Sequence, residues 1–284
     1  MSSIAIVTDT DASLSPGLAE SYGIIQVPIN VHFGEDVYQT WIDINDSELF
    51  ERIDQEGCLP TTSAPTPGQF FEAYEAAFAD GADEVICLTV SSKVSATYSA
   101  ALSAKELISN GPVTVIDTQQ LSIAQGFMAI EAAKFSRQGY SCEEIRAHIQ
   151  EIKERVHLFG ALATLKYLAM SGRVGHLAAG MANVLDIKPL LSIQDGELDL
   201  LEKVRTRRKA WARVVELTEQ VLEGQLPDHM AIVHVAAKDQ AREFESLIRQ
   251  KLPCPDEILI TELTAGLSVH SGAGMVAVTV VTAE

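Results

Sequence analysis

Apolar residues along the first half of the chain fall in short runs that alternate with amphipathic stretches. Residues 4–7 form an apolar run that stops at Thr8-Asp9-Thr10-Asp11, and a helical pattern follows over 16–22. A β-branched stretch occupies 24–33, followed by turn residues and a helical pattern near 47–55. Helix 68–79, strand 84–90, helix 95–108, strand 113–117 and helices near 121–138 and 142–155 come next. Short apolar runs bounded by turn residues read as strands, and apolar positions at a period of 3.6 read as helix. Strands alternating with helices predict a parallel sheet flanked by helices. Between them, residues 59–67 carry Pro60, Pro65 and Pro67, which predict a rigid, extended loop without regular structure.

The pattern changes near residue 158. Apolar stretches 188–193 and 197–204 flank Gln194-Asp195-Gly196, a hairpin signal. A long amphipathic helix is expected over about 206–223, then strand 229–236, helix 238–250, strand 257–263 and strand 275–282. This order predicts a mixed or antiparallel sheet with helices. The reading is α/β with two domains, 1–158 and 159–284.

Charge narrows the partners. The 284 residues carry a formal net charge of −18, which repels nucleic-acid phosphates and anionic lipid surfaces, so neither nucleic acid nor membrane insertion is expected. No apolar run approaches the roughly 20 residues that span a bilayer. The N-terminus lacks the basic region of a secretory leader, and a cytoplasmic protein is expected. Cys58, Cys87, Cys142 and Cys254 lie far apart without C-x-x-C spacing, which predicts free thiols and no zinc or other metal site. Against the acidic background, Lys203, Arg205, Arg207, Arg208, Lys209 and Arg213 put six of the 21 basic residues into eleven positions. They form either a solvated helix face or a docking site for an anionic group or acidic partner.

P-loop, G-x-G-x-x-G, H-E-x-x-H and G-x-S-x-G signatures are absent. Four segments concentrate polar residues where strands end, which is where ligands bind open α/β sheets. Ser91-Ser92-Lys93-Val94-Ser95-Ala96-Thr97-Tyr98 opens a helix, so its hydroxyls either cap that helix or join its N–H groups around an anion. The proline-braced Thr61-Thr62-Ser63 adds more hydroxyls. His270 precedes Gly272 and Gly274, which allow close backbone approach. Arg173 stands between Gly172 and Gly175 and either caps a helix end or reaches into a cleft. The basic stretch opens at Lys203-Val204-Arg205, where a strand meets a helix.

Taken together these segments resemble the DegV family. The family pattern runs T-D-S, T-S-Q-P, S-S-x-L-S-G-T-Y, L-x-x-G-R-I, I-K-P, K-x-R-T-R-x-K-A and H-x-G-P-G. Here it reads Thr8-Asp9-Thr10, Thr62-Ser63-Ala64-Pro65, residues 91–98, Met170-Ser171-Gly172-Arg173-Val174, Ile187-Lys188-Pro189, residues 203–210, and His270-Ser271-Gly272-Ala273-Gly274. The match keeps its order over nearly the whole chain. The resemblance implies a two-domain α/β protein that binds a long-chain, palmitate-like fatty acid in a tunnel between its domains. It implies a lipid-binding protein rather than an enzyme, without a cofactor. Some proteins of this family present the carboxylate to a fatty-acid kinase for acyl phosphate formation, and the resemblance implies that role here. By the same resemblance Thr62, Ser95 and His270, with Ser63 and Thr97, bind the carboxylate, and Arg173 and Arg205 serve phosphoryl transfer or kinase contact. The sequence departs from the pattern at Ala64 for Gln, Ala96 for Gly and Ala273 for Pro. Those changes bear on headgroup geometry and kinase partnership, and motivate the alternative of a stand-alone carrier or sensor.

A rival from another class starts from the strand ending in Asp9-Thr10-Asp11, which resembles the nucleophile segment of haloacid-dehalogenase-like phosphatases. That chemistry needs a second acidic pair after a later apolar strand, and strand 113–117 offers only Asp117.

Overall fold

The computed structural model describes residues 3–172 and 187–284. In chain order the strands and helices are β1 (Ile4–Asp9), α1 (Pro16–Ser21), β2 (Ile24–Val27), β3 (Asn30–Phe33), β4 (Asp36–Gln39), α2 (Asp46–Glu56), β5 (Thr61–Ser63) and α3 (Pro67–Ala79). Then follow β6 (Glu84–Thr89), α4 (Thr97–Lys105), β7 (Val113–Asp117), α5 (Ser122–Arg137), α6 (Cys142–Arg155), β8 (Val156–Ala161) and α7 (Lys166–Ser171). The rest are β9 (Lys188–Gln194), β10 (Glu197–Val204), α8 (Arg207–Leu222), β11 (His229–His234), α9 (Lys238–Lys251), β12 (Leu259–Glu262), α10 (Ala265–Ser271) and β13 (Val276–Val281).

The chain forms two compact units: residues 1–43 with 62–154, and residues 44–61 with 155–284. The first unit is built on a parallel sheet in the order β2-β1-β6-β7. From β1 the chain moves out to β2 and later returns to β6 on the other side of β1. The β1/β6 boundary is therefore a topological switch point, where the loops leaving the two carboxyl ends diverge. Fully buried Val7, Phe70, Tyr74, Cys87, Ala101 and Ala104 form part of the core between this sheet and α3 and α4. A small sheet, β4-β3-β5, completes the unit. The stretch 24–33 is thus two strands, because Pro28 lacks an N–H and ends the ladder after Val27. Within the expected irregular loop 59–67, Thr61–Ser63 pairs as β5, and Pro67 opens α3 behind a Thr66/Gln69 capping box.

The second unit has a mixed sheet in the order β10-β9-β8-β13-β11-β12. Only β11 and β12 run parallel, joined through α9. The hairpin turns at Asp195-Gly196, both at positive φ, as the sequence signal requires. Trp211, Val214, Phe244, Ile248 and the strand residues Ile232 and Val278 make its core against α8 and α9. Helix α2 belongs to this unit and packs on α10. An Asn45/Glu48 capping box starts α2, and Gly57 at φ 66 ends it. Among the described residues no helix is long and apolar enough to cross a membrane. The four cysteines are free, and burial pushes the Cys87 thiol up to about 12.

Candidate functional site

The switch point is tied together by Asp9. Its carboxylate is wholly buried; Oδ1 accepts from the Asp11 N–H at 3.0 Å, and Oδ2 accepts from the Val90 N–H at 2.8 Å and from Gln125 Nε2 at 3.1 Å. The same Gln125 amide donates to Thr8 Oγ1 at 3.0 Å, and that hydroxyl donates to the Leu88 carbonyl at 2.8 Å. One carboxylate thereby joins β1, β6 and α5. Burial raises the Asp9 carboxyl to about 6 despite these donors. Gly126 lets α5 come this close, since a Cβ there would sit 2.6 Å from the Ala12 carbonyl. A group with both oxygens taken by buried donors is a structural brace, not an accessible nucleophile as the phosphatase alternative requires.

Beyond β6, the polar loop is held from below. Ser92 donates its hydroxyl to Asp117 Oδ2 at 2.5 Å and its N–H to Oδ1 at 3.1 Å, and the Ser91 N–H reaches the Gln120 carbonyl at 2.8 Å. This places Ser95 at the mouth of α4. The Ser95 and Thr97 hydroxyls lie 2.8 Å apart, and Ser95 Oγ also accepts the Thr97 N–H at 3.3 Å. Ala96 at the N-cap gives α4 no side-chain cap, so no capping side chain occupies the first-turn N–H groups of Tyr98 and Ser99. The site is thus partly self-satisfied and partly open.

The other hydroxyl-bearing segment is β5. Thr62 is half-buried, and Ser63 Oγ pairs with His32 Nε2 on β3 at 2.8 Å. Asn30, also on β3, donates to the Ala64 carbonyl at 3.4 Å. His32 and Asn30 were not singled out by the sequence reading. Their only signal is that both sit in a β-branched run, a pattern shared by ordinary strand residues.

His270 lies in the second unit, on α10 rather than in an open turn. The turn follows it, and Gly272 is obligatory there. At φ +78, a Cβ on Gly272 would lie 2.2 Å from Cδ2 of Tyr167, whose ring meets Phe50 of α2 edge-on. Gly272→Ala is expected to cost about 2 kcal/mol, from a glycine-only backbone and a displaced ring. Gly17→Ala, at a position with nothing within 4 Å, should leave the midpoint of thermal unfolding near that of the parent chain.

Arg205 is exposed between β10 and α8. Arg213 pairs with Glu202 and Glu216, and Arg207 meets Glu243 at 3.5 Å and stacks over Trp211. Arg205, Arg208 and Lys209 have no ion pair among the described residues. They lie at the positive end of the α8 dipole, where cations are unfavourable unless an anion is met there. Arg173 lies outside the described residues.

A buried Asp46 was also not foreseen. It is 2 % exposed at the start of α2. Neither carboxyl oxygen has a hydrogen-bond partner, and burial pushes the group up to about 8. Its sequence setting, Asn-Asp-Ser-Glu, is that of any helix start.

Polar loops at the switch point of a parallel sheet in one unit, and a mixed sheet with helices in the other, define a two-unit α/β protein. Comparison places it further. The family model described as "Uncharacterised protein, DegV family" matches residues 3–283, and the chain belongs to the DegV family. A DegV domain-containing protein of Halalkalibacterium halodurans is 34 % identical over 276 residues, 97 % of each chain. Among solved structures, a DegV family protein from Thermus thermophilus, described by its fatty acid binding, superposes with a TM-score of 0.91 at 28 % identity, covering 99 % of both chains. DegV from Bacillus subtilis, described as a fatty acid binding protein, superposes with a TM-score of 0.90 at 29 % identity, over 99 % of this chain and all of that one.

Proposed function

We propose that this protein binds a long-chain fatty acid of palmitate-like length. The likeness over the full chain to two solved DegV proteins described as fatty acid binding carries the reading. Thr62 and Ser63 on β5, Ser95 and Thr97 at α4, and His270 on α10 are the donors it assigns to the carboxylate. Hydroxyls and an imidazole satisfy a carboxylate's lone pairs without burying a full opposing charge. The tail supplies the affinity: at about 0.8 kcal/mol per CH₂, a palmitate-length chain offers roughly 11 kcal/mol before ordering costs.

Lipid extracted from the purified protein and analysed by mass spectrometry should contain an acyl chain. Hydrogen bonds to a charged group are worth about 1.5–3 kcal/mol each, so Thr62→Ala with Ser95→Ala should weaken palmitate binding roughly 100-fold or more. Protein that purifies without an acyl chain, together with a double variant of unchanged affinity, would overturn the reading.

Presentation of the carboxylate to a fatty-acid kinase is the finer proposal. The exposed Arg205, Arg208 and Lys209 at the α8 N-terminus support it, as cations placed to meet an anionic group or acidic partner surface. Loaded protein, ATP and a fatty-acid kinase should then yield acyl phosphate, and Arg205→Ala should slow its appearance. Ala64, Ala96 and Ala273 favour a second reading, a carrier without a kinase, for which no product forms.

A further inference from the structure

A groove of about 910 Å³ lies in the first unit between the outer edge of β7 and one face of α6. It uses none of the hydroxyls assigned to the lipid. Five consecutive residues, 114–118, form one wall. Strand β7 ends its sheet, so one side of its backbone is unpaired by any strand among the described residues. The polarity of that edge follows from the ladder. The Pro112 carbonyl accepts from the Val85 N–H, and the Thr118 N–H donates to the Thr89 carbonyl, so even-numbered positions face β6. By alternation, the N–H and C=O groups of Val113, Val115 and Asp117 face the free edge.

The opposite wall is cationic. Arg146 and Lys153 line the groove from α6, with Ile149 between them, and Lys105 closes it from the end of α4. These three side chains have no ion pair or hydrogen bond among the described residues. Glu143 also lines the groove, while the Asp117 carboxylate is already occupied by Ser92 and Gln119. In a chain of net charge −18, this is a local concentration of unpaired positive charge beside an open strand edge.

We propose that this groove docks an extended acidic segment of a partner protein, which adds to β7 as a further strand. Backbone pairing to Val115 and Asp117 supplies the register, and Lys105, Arg146 and Lys153 receive the partner's carboxylates. A second copy of this chain fits poorly, because pairing β7 with β7 brings the two cation sets together.

The test uses the full-length protein and a fluorescein-labelled peptide of alternating glutamate and valine, about eight residues long. Anisotropy should show binding that weakens as salt rises, and a lysine–valine peptide should not bind. Arg146→Glu with Lys153→Glu, both on the helix surface, should weaken binding at least tenfold. Val115→Pro removes an edge donor without touching the β6 ladder and should do the same, with thermal unfolding as the check on folding. Hydrogen exchange should slow at the Val115 and Asp117 amides when peptide is bound. Equal binding of both peptides, binding indifferent to the charge reversal, or displacement of the peptide by millimolar inorganic phosphate would each overturn the proposal, the last pointing to a small-anion pocket.

Discussion

Asp46→Asn is expected to stabilise the protein by about 3 kcal/mol at pH 8.5 and by little near pH 4. The side chain is 2 % exposed, and neither oxygen has a hydrogen-bond partner. Desolvation is the dominant cause of its raised pKa. The Ser268 hydroxyl and the Ala236 N–H favour the ionised form without reaching hydrogen-bond geometry, and the nearby Glu262 charge opposes it. The folded carboxyl therefore holds its proton to about pH 8, whereas the unfolded one releases it near 3.8. Below pH 3.8 both states are protonated and the group is neutral to stability. Between those values the folded state binds the extra proton, so stability falls as pH rises. At about 1.4 kcal/mol per tenfold, the loss reaches on the order of 6 kcal/mol once both states are ionised. Asparagine removes the charge but still buries an unpaired amide, which returns part of that gain. Chemical denaturation of both proteins across this range measures it. An asparagine variant less stable than the parent at pH 8.5 would mean that the carboxylate has a compensating partner that this geometry lacks.

The contrast between what the pattern revealed and what it hid follows from how local each determinant is. The alternation of β1, β6 and β7 with α3, α4 and α5 is legible because each element carries its own period, and α3 its own capping box. The hairpin at Asp195-Gly196 is legible because positive φ at both positions leaves few residue choices. Pro28 was readable as a strand end in principle, but the flanking β-branched residues on both sides mask it. The small elements β4, β5, α7 and α10 fell below the length at which a period can be recognised, and β8 follows α6 directly, with no turn residue to mark its start. The same holds for the site. Ser95 and Thr97 announce themselves as hydroxyls before a helix. Gln125 looks like any polar residue in a helix, and its role exists only because α5 crosses the ends of β1 and β6. Nor does the pattern reveal that residues 44–61 join the second unit, since α2 is amphipathic like any surface helix.

Asp9→Ala tests the other buried carboxyl, with the opposite expectation. Both groups are raised by burial, yet Asp9 is surrounded by donors where Asp46 is not. Truncation to alanine leaves the Asp11 and Val90 N–H groups and one Gln125 amide hydrogen without their acceptor, inside a packed junction of β1, β6 and α5. Each stranded buried donor costs about 1–3 kcal/mol. Part of that loss is offset, because the folded carboxyl holds its proton to about pH 6 against 3.8 when unfolded, and the parent protein therefore loses stability as pH rises through this window. Alanine has no such slope. The expected penalty is about 3 kcal/mol at pH 5 and about 2 kcal/mol at pH 8, by the same bookkeeping of donors and proton linkage. The difference between the two pH values reports the proton linkage of the buried carboxyl, and the penalty that remains at both reports the stranded donors. The junction also carries the loop that presents Ser95, so the variant should bind palmitate more weakly although Asp9 makes no contact with solvent. Retained stability together with unchanged palmitate affinity would show that the switch point does not depend on this carboxylate.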